Sequence, residues 1–252
     1  MRWTGCWPSS ADEVENPLHP PGLAARRRVD DARWRMSRRW AVTMALWAVL
    51  SSAGARAADW TGEFLFGGAL NANSTLEISQ ASQPDLRFDA SWETRSFQQP
   101  LYWAIRLGHE RGRHGFALEL HHHKIYLRNG PEEVESFSIS HGLNFITGQY
   151  RWRHSRWHLL GLAGIAAAHR ESMVRGLAVE ESGGWFNGGY EPTGPVLGLG
   201  AGSTVRLYGP LEVALEIRLV QSWISVDVAQ GRADTTNFAL HLLAGPRLVW
   251  SR

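Results

Sequence analysis

Apolar and polar residues alternate with a period of two over long stretches of the C-terminal half, and this pattern limits the chain to a small set of folds. In 211–219 the odd positions are Leu211, Val213, Leu215, Ile217 and Leu219, and the even ones are Glu212, Ala214, Glu216 and Arg218. In 238–250 the even set is Phe238, Leu240, Leu242, Ala244, Pro246, Leu248 and Trp250, with His241 and Arg247 among its odd partners. In 196–208 Leu197, Leu199, Ala201, Val205 and Leu207 share one face, and Gly198, Gly200, Gly202, Thr204 and Arg206 share the other. A strand sends successive side chains to opposite faces. One continuous apolar face against one small or charged face is what a membrane barrel needs, with lipid outside and a polar lumen inside. A soluble sandwich also alternates, but its buried face does not pair so many long apolar strands with so many charged ones.

The N-terminal part reads as an export signal. Arg38-Arg39-Trp40 is a basic start, 41–50 an apolar core, and Ala55-Arg56-Ala57 a small-residue exit, so cleavage is expected after Ala57. Ten apolar residues are too few to cross a bilayer as a helix. The domain reading is therefore leader and signal peptide over 1–57, with its core at 36–57, and an outer-membrane β-barrel domain over 58–252. The Pro- and Arg-rich stretch before Met36 has no periodicity, which makes Met36 the expected start; a long leader is the alternative. Removing 1–57 removes nine of the 26 basic residues and five of the 24 acidic ones, leaving 17 and 19. The sequence pI near 9.0 thus belongs to the leader, and nucleic acid is excluded as a partner. Cys6 also falls there, so the mature chain has no thiol for disulfides or catalysis.

The pattern predicts an all-β fold, an eight-stranded antiparallel transmembrane β-barrel of the outer-membrane type. Its strands are expected near 61–72, 101–110, 116–127, 136–150, 157–168, 195–208, 211–224 and 236–250. Short connections at 111–115, 151–156 and 209–210 alternate with long ones at 73–100, 128–135, 169–194 and 225–235. Short periplasmic turns and longer outer loops are the usual asymmetry, which places both termini in the periplasm. Trp60, Trp157, Tyr208 and Trp250 then mark periplasmic ends, and Trp103, Tyr126 and Trp223 outer ends. Residues 87–95 also alternate. They read as an extracellular extension of the first hairpin, with a ten-stranded barrel as the alternative. Trp250 near the C-terminus suits engagement by the barrel-assembly machinery, and the expected state is a monomer in contact with outer-membrane lipids.

Eight strands leave a lumen that side chains fill, which argues against a general porin. Arg106, Glu110, Glu119, Arg206, Glu212, Glu216, Arg218, His241 and Arg247 are expected to pair there. His121-His122-His123 attracts attention as a metal tract, but only His121 and His123 share a face. Since Leu118 and Leu120 are lipid-type, His122 and Lys124 should face out, and Glu119, His121 and His123 in. Phe137, Ile139, Leu143 and Phe145 read as lipid-facing, which turns His141 outward and Asn144 inward. If 127 pairs with 136, His122 lies opposite His141 and Glu119 opposite Asn144.

Two clusters follow. Glu119, His121 and His123, with Asn144 beside them, form an inward group that suits a divalent metal with open positions for oxygen chemistry, or an ordinary hydrogen-bonded lumen patch. His122, Lys124 and His141 form an outward group that suits a lipid headgroup or lipid A phosphate, or plain snorkelling at the interface. No Gly-x-Ser-x-Gly elbow and no phosphate loop is present.

A family resemblance rests on Trp92, Phe97 and Pro100-Leu101-Tyr102-Trp103, on 115–119 running into His122, Lys124 and Tyr126, and on Gly142-Leu143-Asn144. It continues through His169, Gly189-Tyr190, Thr193-Gly194-Pro195 and Asn237. Over most of 92–250 the chain resembles the small outer-membrane β-barrel proteins and, within them, the lipid A oxidase-like branch. The resemblance implies oxygen-dependent oxidation of the proximal glucosamine of lipid A to an aminogluconate. It carries over Glu119, His122, Lys124, Tyr126, Asn144 and His169 as site residues. His141 stands where that branch has an acid, and His121 and His123 are not part of its pattern. The alternative function is a non-enzymatic structural or small-ligand-binding barrel.

Overall fold

In a computed structural model of the chain, residues 58–169, 171–179 and 190–251 are described; the expected leader, signal peptide and cleavage point lie outside them. In chain order the strands are β1 (Asp59–Asn71), β2 (Ser74–Gln80), β3 (Leu86–Ala90), β4 (Trp92–Glu93), β5 (Trp103–Arg111), β6 (His114–Leu127) and β7 (Val134–His154). There follow β8 (Trp157–His169), β9 (Glu171–Val174), β10 (Leu177–Ala178), β11 (Tyr190–Tyr208), β12 (Leu211–Val228) and β13 (Gly231–Ser251).

Eight of these close a ring in the order β1-β5-β6-β7-β8-β11-β12-β13 and back to β1, every pair antiparallel. Closure is visible at Thr61, which stands opposite Gly108 on one side and Val249 on the other. A closed ring leaves no unpaired edge, the condition for backbone to sit in hydrocarbon. Two-residue turns join β5 to β6, β7 to β8 and β11 to β12 at one end of the barrel. Gly209 accepts the left-handed φ of +54° that the last of these requires.

The long connections at the other end are built, not irregular. β2 and β3 form a hairpin, and β2 also pairs with the first residues of β13. The 87–95 segment therefore extends the loop end and adds no ring strand. β4 pairs with β6, β9 with β7, and β10 with β9. The stretch expected as loop at 225–235 is a continuation of the β12–β13 hairpin, paired as far as Val228 and Gly231. Arg175 ties two of these extensions together, donating to Gln80 Oε1 at 3.1 Å and to the Pro84 carbonyl at 2.7 Å.

Alternation sorts the faces. Leu118, Leu120, Leu197, Leu199, Leu215, Ile217, Leu219, Leu242 and Leu248 are exposed around the outside. Such a belt is far beyond what a water-soluble surface carries, and hydrocarbon is its natural cover. The inside is layered along the axis, as successive inward residues of β6 show: Glu119, His121, His123 and Ile125. Nearest the turn end lies an ion network. Arg106 pairs with Glu63, with Glu119 at 2.5 Å and with Glu216 at 2.9 Å. Arg218 reaches Glu119 at 2.8 Å and also pairs with Glu216. Arg151 holds Glu63 at 2.5 Å, and Arg247 holds Glu110 at 2.8 Å. Arg206, expected inside, is exposed and 3.8 Å from Glu212, and the sequence reading missed Glu63 and Arg151. Buried charges persist only when paired and hydrogen-bonded. Nearest the loop end is an apolar plug that includes Leu76, Ile78, Trp92, Ile125, Phe137, Ile139, Leu143 and Ile224.

That plug overturns one expectation. Phe137, Ile139, Leu143 and Phe145 are buried inside the barrel, not turned to lipid. On β7 the odd set also carries Thr147, Gln149 and Arg151, which are buried in the lumen, while Ile146, Tyr150 and Trp152 are exposed outside. Asn144 is thereby outward. The register differs too: His122 lies opposite Asn144 and Glu119 opposite Thr147. A bulge absorbs the difference, with one residue of β6 between His123 and Ile125 set against three of β7 between Leu143 and Ile139. Gly142, at φ +131°, sits in it.

Candidate functional site

The register puts Trp103, His122, Asn144 and Ala167 side by side across β5, β6, β7 and β8. The row lies on the outer face, near the loop end. Asn144 Oδ1 is 2.9 Å from His122 Nδ1. The amide oxygen only accepts, so Nδ1 carries the proton and Nε2 is the basic nitrogen of the ring. The Trp103 indole stacks on the imidazole with centres 5.6 Å apart and planes 13° off parallel, and His122 is 5 % exposed. His169 lies two residues beyond Ala167 on the same strand and packs edge-on to Tyr190 of β11, centres 5.4 Å apart.

Above the row, Lys124 sits in the bulge. Its Nζ donates to the carbonyls of Arg95 at 2.5 Å and Gln98 at 2.8 Å, and its own carbonyl accepts from Thr94 Oγ1 at 2.9 Å. Lys124 thus pins the 94–98 segment, and its ammonium is covered by protein. Pinning presents two groups that the sequence reading did not assign. The Arg95 guanidinium lies 4.3 Å from the centre of the Tyr126 ring, and Phe97 is 89 % exposed.

The candidates therefore separate into three places. His122, Asn144, Tyr126 and His169, with Lys124 beneath the strap, belong to the outer face. Glu119 is inside and engaged by Arg106 and Arg218, whose guanidiniums take both its oxygens. His121 and His123 are inside, in the layer above the ions, with His241 from β13 and Tyr102 beside them. The inward group expected to contain Asn144 does not form, because β7 presents its other face. Opposition of His122 to His141 does not form either; the His141 side chain lies outside the described residues. Among the described residues no three His, Cys, Asp or Glu side chains already stand in a metal-holding arrangement. His241 and Tyr102 were legible as members of this layer only through parity: His241 carries the inward phase of β13, and Tyr102, one residue before β5, continues the inward phase of Ala104 and Arg106.

No protein-family model and no curated protein matches the chain. Solved structures it is similar to include Neisserial surface protein A, with 14 % identity over 77 % of this chain and 99 % of that one, TM-score 0.37. The outer membrane protein AlkL in lipid bilayers shares 11 % over 80 % and 94 %, TM-score 0.41. OprG of Pseudomonas aeruginosa shares 9 % over 79 % and 98 %, TM-score 0.40. The closed ring of eight antiparallel strands, greasy outside and ionic within, is a transmembrane barrel of the outer-membrane type.

Proposed function

We propose that this protein modifies lipid A in the outer leaflet, with the outer row as its site, and that the loop end faces outward and both termini face the periplasm. The observation that carries the reading is the His122–Asn144 hydrogen bond on the lipid side of the wall. A barrel needs no polar pair there, and polar groups against hydrocarbon are costly unless they serve a purpose.

The arrangement suits a phosphorylated, acylated sugar. Arg95, already stacked on Tyr126, offers a forked donor to a phosphate, and Phe97 offers an apolar contact to acyl chains. His122, oriented by Asn144, is a general base for a sugar hydroxyl, reached when Trp103 turns aside. In the oxidation that the family resemblance implies, His122 takes the proton of a free anomeric hydroxyl, the C1–H hydrogen leaves with two electrons to dioxygen to give hydrogen peroxide and a lactone, and water opens the lactone to the acid, a net gain of one oxygen atom. Lys124 acts as a positioning residue that fixes the 94–98 segment over the site.

The test is mass spectrometry of lipid A from cells with the gene, without it, and with His122→Ala or Asn144→Ala. A species heavier by one oxygen, lost on deletion and in both variants, supports the oxidase. Unchanged lipid A with normal barrel levels sinks it and favours the non-enzymatic barrel. The lumen filled by ions and apolar side chains is compatible with that second reading.

A further inference from the structure

Tyr102, His121, His123 and His241 are all but completely buried between the ion network and the apolar plug. The imidazole centres are 5.0 Å apart for His123–His241, 5.1 Å for His121–His241 and 6.4 Å for His121–His123. Each ring carries one buried nitrogen with no hydrogen-bond partner: Nε2 of His121, Nδ1 of His123 and Nε2 of His241. An orphaned polar atom in a dry interior is costly. Three in one layer call for a ligand.

In two of the three rings the opposite nitrogen is anchored. His123 Nε2 donates to Asn237 Oδ1 at 3.1 Å, and Asn237 Nδ2 donates on to Asn71 Oδ1 at 3.0 Å. This leaves the lone pair of His123 on its unpartnered Nδ1. His241 Nδ1 is hydrogen-bonded to the Tyr102 hydroxyl. A ring fixed through one nitrogen and free at the other is the usual state of a histidine metal ligand.

We infer that His121, His123 and His241 bind one divalent transition-metal ion of the zinc, cobalt or copper class inside the barrel, with Tyr102 as the positioning residue for His241. Neutral imidazoles select such ions over calcium or magnesium. A metal–nitrogen bond of about 2.0–2.1 Å puts a ring centre about 3 Å from the ion, and two such centres about 5 Å apart at a tetrahedral angle. Two of the three spacings already agree. The third is wide; because the Cβ–Cγ bond points through the ring centre, it closes by a turn of His121 of about 30° about its Cα–Cβ bond, which leaves the Asn237 anchor of His123 in place. Glu119 takes no part, because Arg106 and Arg218 hold its carboxylate. The inference is independent of the lipid A reading, since His122 points the other way.

Untagged full-length protein, folded in detergent and stripped with chelator, is titrated with Co²⁺ and then Zn²⁺. One ion per barrel with visible cobalt d–d absorption is expected, retained in His122→Ala and at least ten-fold weaker in His241→Ala and His121→Ala. Tyr102→Phe should weaken binding about ten- to a hundred-fold. Heat-dependent gel migration reports whether each variant is folded. X-ray absorption on wild-type protein, which needs no variant, should show three imidazole nitrogens around the ion. Absence of stoichiometric binding, an all-oxygen shell, or unchanged affinity in folded His241→Ala overturns the inference.

Discussion

Gly142 packs directly against the His122–Asn144 pair: a Cβ there would lie 2.7 Å from His122 Nδ1 and 2.8 Å from Asn144 Oδ1. Its φ of +131° also lies where L side chains rarely go. Gly142→Ala should therefore lower barrel stability by about 1–3 kcal/mol through backbone strain and displacement of the pair. Unfolding in urea from detergent micelles measures this. A variant as stable as wild type contradicts the geometry.

Arg106 is the hub of the lumen, and its loss takes one partner from each of three buried carboxylates, Glu63, Glu119 and Glu216. Arg106→Met is expected to cost about 3–5 kcal/mol, the usual penalty for breaking one partner of a buried pair. Adding Glu119→Leu should recover part of it. Urea midpoints of the single and double variants decide; a double variant worse than the sum of its parts speaks against a direct ion pair.

Lys124→Met removes both hydrogen bonds to the 94–98 carbonyls. The segment should loosen without loss of the barrel. Limited trypsinolysis in detergent is expected to cut after Arg95 several-fold faster than in wild type, since cleavage follows local opening. Equal rates would show that something other than Lys124 holds the strap.

Leu199 is exposed halfway along β11, and Leu207 is exposed one residue from its turn end. If lipid covers this face, Leu199→Arg should cost about 2–4 kcal/mol and Leu207→Arg about 0–1 kcal/mol. The comparison is made by reversible folding into phosphocholine vesicles. Equal costs at the two depths would remove the hydrocarbon from around these strands.

Much of this was legible in sequence. The β12 and β13 faces follow directly from Leu211–Leu219 and Phe238–Trp250, and the inward phase of His121 against the outward phase of His122 follows from Leu118 and Leu120. β7 was misread for a physical reason. Its apolar residues 137–145 match a lipid face as well as a dry lumen, and the polar phase that settles the matter, Thr147, Gln149 and Arg151, lies further along the strand. Asn144 was consequently assigned to His121 and Glu119 when it serves His122.

Alternation and turn chemistry alone determined the eight ring strands with two unlike faces, because side-chain direction in a strand is a local property of the backbone. Which residues meet was decided only by the closed ring. Registers, the bulge at Gly142, the engagement of Glu119 by two arginines and the arrival of His241 beside His121 and His123 all depend on strands distant in sequence, and only their mutual packing could select among alternatives that the local pattern left equal.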